Sequence, residues 1–313
     1  MDTWFYIPKD VAKSQIEVKP TLSVILPIYY RNDAAQLKAA LQSILTQTRL
    51  PEEVLVVTDG PVPASLKQVI DNLQFSKLAV ARRSGKAERT IDNEKLPVEV
   101  IFLPREKNKG LGETLRVAVE HTQCDYVARM DADDICMPDR FEKQMRCFEE
   151  QPELSVVGGQ IAEFDGEVTN ITGRRTVPLQ HDDIYAYMKS RNGMNHVTVI
   201  FKRKDLLAAG NYQRLNWLED YYLWVRMLQQ GFRFRNIPDE VVLVRAGKAQ
   251  IDRRGGWEYF HYERQLFRYM RSQHFISWGR YLQNLIERCC VRLLMPLTMR
   301  YWFYRRFLRA IDN

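Results

Sequence analysis

Cys124–Arg140 reads CDYVARMDADDICMPDR, and this stretch decides what kind of fold the chain adopts. Tyr126 to Met130 is a short, mostly apolar run with the character of a strand. Pro138 reads as a first-turn residue of the helix that follows, so Asp131, Asp133 and Asp134 fall in the loop between the two. Side chains two apart can face one side of an extended chain. Asp131 and Asp133 are therefore placed to share a hard divalent cation, which takes oxygen ligands and also holds phosphates. Taken alone, a D-x-D in a loop reads better as a solvated turn or helix cap, and Asp134 and Asp139 have that alternative reading. The rest of the chain decides between the two.

Outward from that loop, strand and helix alternate. TLSVILPIYYR opens with a continuous apolar strand of the fully buried kind. A helix follows over about Asp33 to Gln47, with Leu37, Leu41, Ile44 and Leu45 at helical spacing. Glu53 to Thr58 is a second buried strand. It ends in the turn cluster Asp59-Gly60-Pro61-Val62-Pro63, and helical periodicity resumes through Leu66, Val69, Ile70 and Leu73. Ala81 to Lys95 is polar and basic and reads as a surface insertion before a third strand, Val98 to Leu103. Asn108-Lys109-Gly110-Leu111-Gly112 then leads into a helix carrying Leu115 and Val119. Such alternation predicts a parallel sheet with helices on both faces, whose ligands bind at the carboxyl ends of the strands. Pro27, Asp59 and Asp131 all stand at strand ends on that one rim.

Beyond residue 150 the pattern changes. Ser155 to Ile161 reads as a strand, a second strand carries Val197, Val199 and Phe201, and a short helix from Lys204 to Ala209 closes at Gly210. LNWLEDYYLWVRMLQQGF is a helix that opens near Trp217 and stops at Gly231. Glu219 and Asp220 lie in its first turn, where negative charge is favoured.

The 313 residues, 45% hydrophobic and 27% charged, make an ordinary globular composition and exclude a disordered chain. The net charge of +7 is concentrated at one end. Arg245 to Asn313 holds 14 Lys and Arg against 5 Asp and Glu, and the remainder is close to neutral. Five cysteines, Cys124, Cys136, Cys147, Cys289 and Cys290, have no paired zinc spacing and argue against a disulfide framework, which favours a reducing compartment. The first fifteen residues lack the pattern of a secretory signal, and no apolar run approaches the roughly 20 residues of a spanning helix. A cytoplasmic location is the expectation.

Five ordered motifs together resemble the inverting family-two glycosyltransferases over roughly the first 245 residues. SVILPIYY is similar to their opening strand, VVTDGP to their second strand with its uracil-contacting aspartate, and NKGLG to the segment before the nucleotide-binding helix. DADDICMPDR resembles the metal-binding motif with its trailing Pro-Asp-Arg, and LEDYYLWVRM the catalytic Glu-Asp helix. VARMDADDI and NHVTVIFK resemble in particular the bacterial exopolysaccharide and O-antigen transferases, including those of amylovoran type. The resemblance implies an α/β GT-A fold: a Rossmann-like nucleotide-binding half with a mixed central sheet flanked by helices, plus a C-terminal helical extension. The expected division is a transferase domain over 1–245, with a nucleotide half at about 20–150 and an acceptor half at about 151–245, and a basic, aromatic-rich extension over 246–313. Two departures stand out. Thr58 replaces the first aspartate that many members carry, leaving the uracil contact to Asp59. Gln250 and Arg253 to Trp257 only loosely match the Q-x-x-R-W motif of processive members, so a processive polymerase is not implied.

Carried onto matching positions, the resemblance implies that Pro27, Tyr29 and Asp59 line a uridine pocket, with Tyr29 stacking on the base and Asp59 accepting its imide hydrogen. The plain alternative makes Tyr29 a core residue. Lys109 or Arg105 is the candidate to neutralise a phosphate, against the reading that both are solvated. Asp131 would face the ribose or an outer-shell water, and Asp133 would bind Mn2+ or Mg2+ directly. The cation would stabilise charge on the departing diphosphate. The implied reaction is a single displacement at the anomeric carbon, moving a hexose or N-acetylhexosamine from a UDP-sugar to a polyprenyl-diphosphate-linked saccharide during exopolysaccharide, capsule or O-antigen synthesis. It needs one carboxylate as base, for which Asp220 is the candidate, with Glu219 orienting the acceptor or supporting Asp220. Asp220 as a mere helix cap is the alternative. His196, Asn195 and Trp217 are secondary candidates for sugar or phosphate contacts, each with a structural reading beside it.

The terminal sequence RYWFYRRFLRAIDN suits a helix lying in an anionic membrane interface, with Trp302, Phe303, Phe307 and Leu308 dipping into the acyl boundary. A packed helical subdomain with a solvated basic face is the alternative. A nucleic-acid binder is the reading from another class, prompted by the same basic tail. It leaves the strand-end carboxylates unexplained, so no nucleic-acid partner is expected. A nucleotide-sugar-binding subunit without turnover keeps the fold but leaves Asp220 without a role.

Overall fold

The computed structural model describes residues 20–75, 98–246, 255–296 and Met299. The insertion at 81–95, the loose Q-x-x-R part of the 250–257 motif and the aromatic tail beyond 299 lie outside them. Among the described residues nine strands form one mixed sheet: β1 (Leu22–Ile28), β2 (Glu53–Thr58), β3 (Glu99–Leu103), β4 (Tyr126–Arg129), β5 (Ile135–Cys136), β6 (Leu154–Phe164), β7 (Ile171–Arg175), β8 (Ile200–Lys202) and β9 (Arg233–Arg245). Their order is β3-β2-β1-β4-β8-β6-β9-β5, with β7 added beside β6. The first four strands are mutually parallel, as the alternating sequence predicts. β8 then reverses direction, pairing antiparallel with both β4 and β6, and β9 runs parallel to β6.

Period-two alternation splits the central strands between two apolar clusters. Val24, Leu26, Val54 and Val56 pack against helices α1 (Ala34–Leu45), α2 (Ala64–Phe75) and α4 (Arg140–Glu150). Ile25, Leu55, Val57 and Val127 face the other way, onto α3 (Leu111–His121), α7 (Glu219–Gln229) and α8 (Gly256–Ser272). Two-sided burial is why these strands read as continuous apolar runs. Asp33 caps α1 through Ala35 and Gln36 N–H, a contact worth about 1 kcal/mol. All five cysteines are free.

Several expectations need correction. Pro138 lies in the turn ahead of α4, which opens at Arg140, because residues 135 and 136 leave the acidic loop as a short strand against β9. The expected strand through Val197 is a 3-10 turn over His196–Thr198, and only Ile200–Lys202 pairs; the turn is held by Asn195 O and the Thr198 hydroxyl. The Glu-Asp helix begins at Glu219, not near Trp217, whose φ of 63° places it in the left-handed region outside any helix. α5 (His181–Met188), β7 and β9 have no counterpart in the sequence-based expectation, and α6 spans Arg203–Ala208.

After β9 the chain forms α8, α9 (Trp278–Cys289) and a π-helical turn over Cys290–Leu294. Leu266, Phe267 and Met270 of α8 enter the same apolar cluster as Trp224 of α7, and the Tyr222 and Tyr269 rings meet edge to face at 4.8 Å. Among the described residues no helix is long and apolar enough to cross a membrane.

Candidate active site

The parallel strand ends open onto a cleft of about 1680 Å³, lined by residues from both halves of the chain. Pro27 is the penultimate residue of β1, and Tyr29 follows in a tight turn closed from Asn32, whose Oδ1 accepts the Tyr29 N–H at 2.7 Å. Tyr29 is half-buried and lines the cleft, so it is not a core residue. Asp59, one residue past β2, accepts the backbone N–H groups of Lys109 at 2.8 Å and Gly110 at 3.1 Å. Gly60 makes this approach possible: its φ is +85°, and a Cβ there would stand 2.8 Å from Asn108 N. Asp59 thereby locks the NKGLG segment to the rim. Thr58 is buried and its hydroxyl accepts the Arg105 N–H at 2.7 Å, so the residue that departs from the family pattern holds the same loop.

Lys109 contributes its backbone to this lock while its side chain is exposed and stands outside the cleft wall. The Arg105 guanidinium donates to Thr114 Oγ1 at 2.6 Å and lies 3.8 Å from Asp59, which gives it partners within the rim.

Asp131, Asp133 and Asp134 bring one carboxylate oxygen each within 4.8 Å of one another. Asp134 is buried and accepts the Arg245 N–H at 2.8 Å, so it is neither a solvated turn residue nor a cap but the tie between the loop and β9. Asp139 makes no cap bond and pairs with Lys143 at 2.9 Å. Burial and the neighbouring Asp131 push Asp133 above the usual carboxylate range, and burial with both neighbours does so more strongly for Asp134. A divalent cation relieves such repulsion, and an all-oxygen set of this kind suits a hard ion.

Arg129, the last residue of β4, is the main charged group that sequence reasoning missed. Its side chain is almost fully buried and donates to Asp131 Oδ1 at 2.6 Å. Burial opposes the guanidinium's charge, yet Asp131, Tyr212, Asp134 and Asp220 together outweigh it and raise its pKa. Arg140 supports this position from below: fully buried, it donates to the Arg129 carbonyl at 2.9 Å and to Gln144 at 3.0 Å.

Glu219 and Asp220 line the same cleft and open α7. Asp220 accepts the Tyr221 N–H and the Asn192 side-chain amide, both at 2.7 Å. Burial raises its pKa, offset by Tyr221, Arg129, Arg175 and Asn192. Glu219 is pushed up to about 7 by burial and by Asp220 beside it. Of the two, Asp220 has the partners that favour its ionised form. Gly112 brings the nucleotide-side helix against this pair, since a Cβ there would stand 3.2 Å from Glu219 Cβ.

The secondary candidates differ in character. His196 bonds Tyr212 at 2.8 Å and sits edge-on to Trp224, and burial depresses its pKa well below the ordinary value, so it is a neutral, packed ring at the cleft floor. Asn195 is buried and donates to the Gly159 carbonyl at 2.8 Å. Trp217 is 46% exposed and stacks on Tyr259 of α8 at 5.6 Å. The remaining wall comes from the C-terminal helices. Glu263 of α8, itself buried, pairs with Arg288 at 3.1 Å and Arg292 at 2.9 Å. No local pattern signals this wall, because its members are 25 to 29 positions apart and join only when α8 and α9 pack.

Residues 23–207 match the family described as Glycosyl transferase family 2. The chain is 34% identical over 284 residues to the amylovoran biosynthesis glycosyltransferase AmsE of Erwinia amylovora, covering 91% of this chain and 98% of that one. It is 30% identical over 290 residues, 93% of this chain and 97% of the relative, to the UDP-Gal:alpha-D-GlcNAc-diphosphoundecaprenol beta-1,3-galactosyltransferase of Escherichia coli. Among solved structures, S. aureus TarS 1-349 in complex with UDP superposes with a TM-score of 0.56 at 16% identity, over 89% of this chain and 73% of that one. A mannosyltransferase from Pyrobaculum calidifontis in complex with GDP-Man and Mn2+ gives 0.56 at 15% identity, over 91% and 79%.

Proposed function

Because the chain belongs to glycosyl transferase family 2, we propose that its cleft binds a UDP-sugar on the side of Asp59 and Asp131 and a lipid-linked saccharide on the side of Asp220. The chain is a glycosyltransferase of the GT-A fold, related to enzymes of exopolysaccharide synthesis. The observation that carries the finer reading is that a carboxylate trio and the Asp220 carboxylate line one cleft around the buried Arg129. A donor diphosphate needs a cation beside it, and an acceptor hydroxyl needs a base. The UDP-Gal-dependent Escherichia coli relative and the UDP complex of TarS support a UDP-sugar donor.

In this reading Tyr29 and Asp59 border the uridine, and Asp131, Asp133 and Asp134 hold Mn2+ or Mg2+. Bound there, the cation supplies Lewis-acid stabilisation for the departing diphosphate. Arg129 holds Asp131 in place. Asp220 takes the proton from the acceptor hydroxyl as that oxygen bonds to the anomeric carbon on the face opposite the leaving group, which inverts the centre. The Asn192 amide orients the Asp220 carboxylate, and the raised pKa makes it a better proton acceptor than an exposed aspartate. The enzyme works at the cytoplasmic face of the membrane, with the basic 296–313 segment docking on anionic lipid; equal co-sedimentation with anionic liposomes after deletion of that segment would remove the docking role.

Calorimetric titration with UDP, ADP and GDP, each with and without Mn2+, tests the donor site. Metal-dependent preference for UDP is the expected outcome, and absence of UDP binding in both conditions would overturn it.

A further inference from the structure

Asp220 faces a short loop, Lys189 to Asn192, that leaves the C-terminal end of α5. Four side chains grip this loop by its backbone carbonyls: Asn284 at Lys189 (2.9 Å), Arg288 at Ser190 (2.7 Å), Arg175 at Asn192 (2.8 Å) and Tyr221 just before it at Met188 (2.6 Å). The loop's own Asn192 donates to Asp220. Two guanidiniums from distant elements, Arg175 on β7 and Arg288 on α9, thus converge on the segment that holds Arg191, within reach of the base.

Arg191 itself is half-buried, lines the cleft, and makes no side-chain hydrogen bond or ion pair with any described residue. A guanidinium that lines a cleft with no protein carboxylate on it keeps its fork of donors for an anionic ligand. Arg174, by contrast, pairs with Glu240 at 2.6 Å, and Arg288 leans on Glu263. We infer that Arg191, flanked by Arg175 and Arg288, is an anion subsite that holds the diphosphate of the lipid-linked acceptor. This rests on the transferase reading above and assigns the acceptor end of the same cleft.

Two features favour the acceptor's diphosphate over the donor's. The subsite stands on β7, the Lys189–Asn192 loop and α9, elements of the second half and the C-terminal helices, whereas the Asp131–Asp134 loop leaves β4. Beside Arg288, α9 presents Trp278, Leu282 and Ile286 at positions i, i+4 and i+8, all more than half exposed. Ile286 also lines the cleft. An anionic group next to an apolar helical face fits an amphiphile better than a soluble sugar phosphate.

The test compares two acceptors for wild type, Arg191→Gln and Arg191→Lys: an N-acetylglucosaminyl diphosphate bearing a short prenyl chain, and a neutral octyl glycoside of the same sugar. Loss of a charge-assisted contact predicts that Arg191→Gln raises KM for the diphosphate acceptor about 10- to 100-fold. KM for the octyl glycoside, kcat and UDP affinity stay unchanged, and Arg191→Lys recovers most of the loss. Equilibrium binding of the prenyl diphosphate probe, read without turnover, should weaken in parallel. Unchanged KM on the diphosphate acceptor, or equal loss on both acceptors, overturns the subsite and leaves the transferase reading standing. Inorganic diphosphate competing as well as the prenyl probe overturns the lipid assignment. Failure of wild type to bind UDP strikes the transferase reading itself. Arg191→Met, which keeps the apolar stem of the half-buried side chain, is the second variant should Arg191→Gln lower the melting temperature.

Discussion

Arg129 Nη2 donates to Asp131 Oδ1 at 2.6 Å, joining the last residue of β4 to the first carboxylate of the acidic loop. Asp134 and Asp220 share the field of that buried cation, so its removal leaves three carboxylates mutually exposed. Arg129→Met should cost about 2–3 kcal/mol, below the usual figure for a buried pair because Asp131 is half-open to water. Urea unfolding without metal reads this, and a cost under about 0.5 kcal/mol would mean the pair is idle.

Asp220→Asn keeps the shape and the Tyr221 contact but cannot accept the acceptor proton. Transfer should fall by at least about 10²- to 10⁴-fold, while UDP binding is retained. Wild-type turnover in this variant would remove the assigned base.

Asp133→Ala should weaken UDP binding in the presence of Mn2+ and leave the weaker metal-free binding as it was. A chelator added to wild type should reproduce the variant. An Asp133→Ala protein whose UDP affinity still rises with Mn2+ would show that the ion sits elsewhere.

Glu219 binds its proton up to about pH 7 in the folded chain, against an ordinary value of 4.5. Folding therefore takes up a proton between those limits. The favourable contribution is complete below pH 4.5 and is lost as pH rises through 7. Glu219→Gln fixes the neutral form, so its melting temperature should exceed that of wild type by more at pH 8 than at pH 5. Equal differences at both pH values would mean that Glu219 ionises normally.

Gly60→Ala adds a Cβ 2.8 Å from Asn108 N at a φ of +85°. Strain of about 1–3 kcal/mol is expected, together with weaker UDP binding as the Asp59 lock on Lys109 and Gly110 loosens. Thermal melts and the UDP titration check both parts, and full affinity in a folded variant would detach the lock from nucleotide binding.

The first half of the chain was readable because its signals are local. β1, β2 and β4 are short apolar runs buried on both faces, and their ends carry Pro27, Asp59 and Asp131 by simple sequence adjacency. β9 was not, because Asn236, Pro238, Asp239 and Glu240 break its apolar pattern; its pairing with β6 is irregular around Gly158 to Ile161. Arg129 looked like an interruption in a strand, and only the fold reveals that it points into a ring of carboxylates. Lys109 was legible as a loop residue, but its contribution is a backbone N–H, which no side-chain pattern encodes. Arg175, Arg191 and Arg288 lie more than 100 positions apart at the extremes and acquire a common meaning through the Lys189–Asn192 loop alone.

The Arg245 N–H that holds Asp134 marks a seam. Up to that residue the chain builds the acidic loop, the NKGLG lock and Asp220; past it, α8 and α9 add Tyr259, Glu263 and Arg288 to the same cleft. Leu266, Phe267 and Met270 of α8 share one apolar cluster with Trp224 of α7, so a chain cut after β9 would lose one wall of the cleft and bare the core beneath Asp220's own helix in the same stroke.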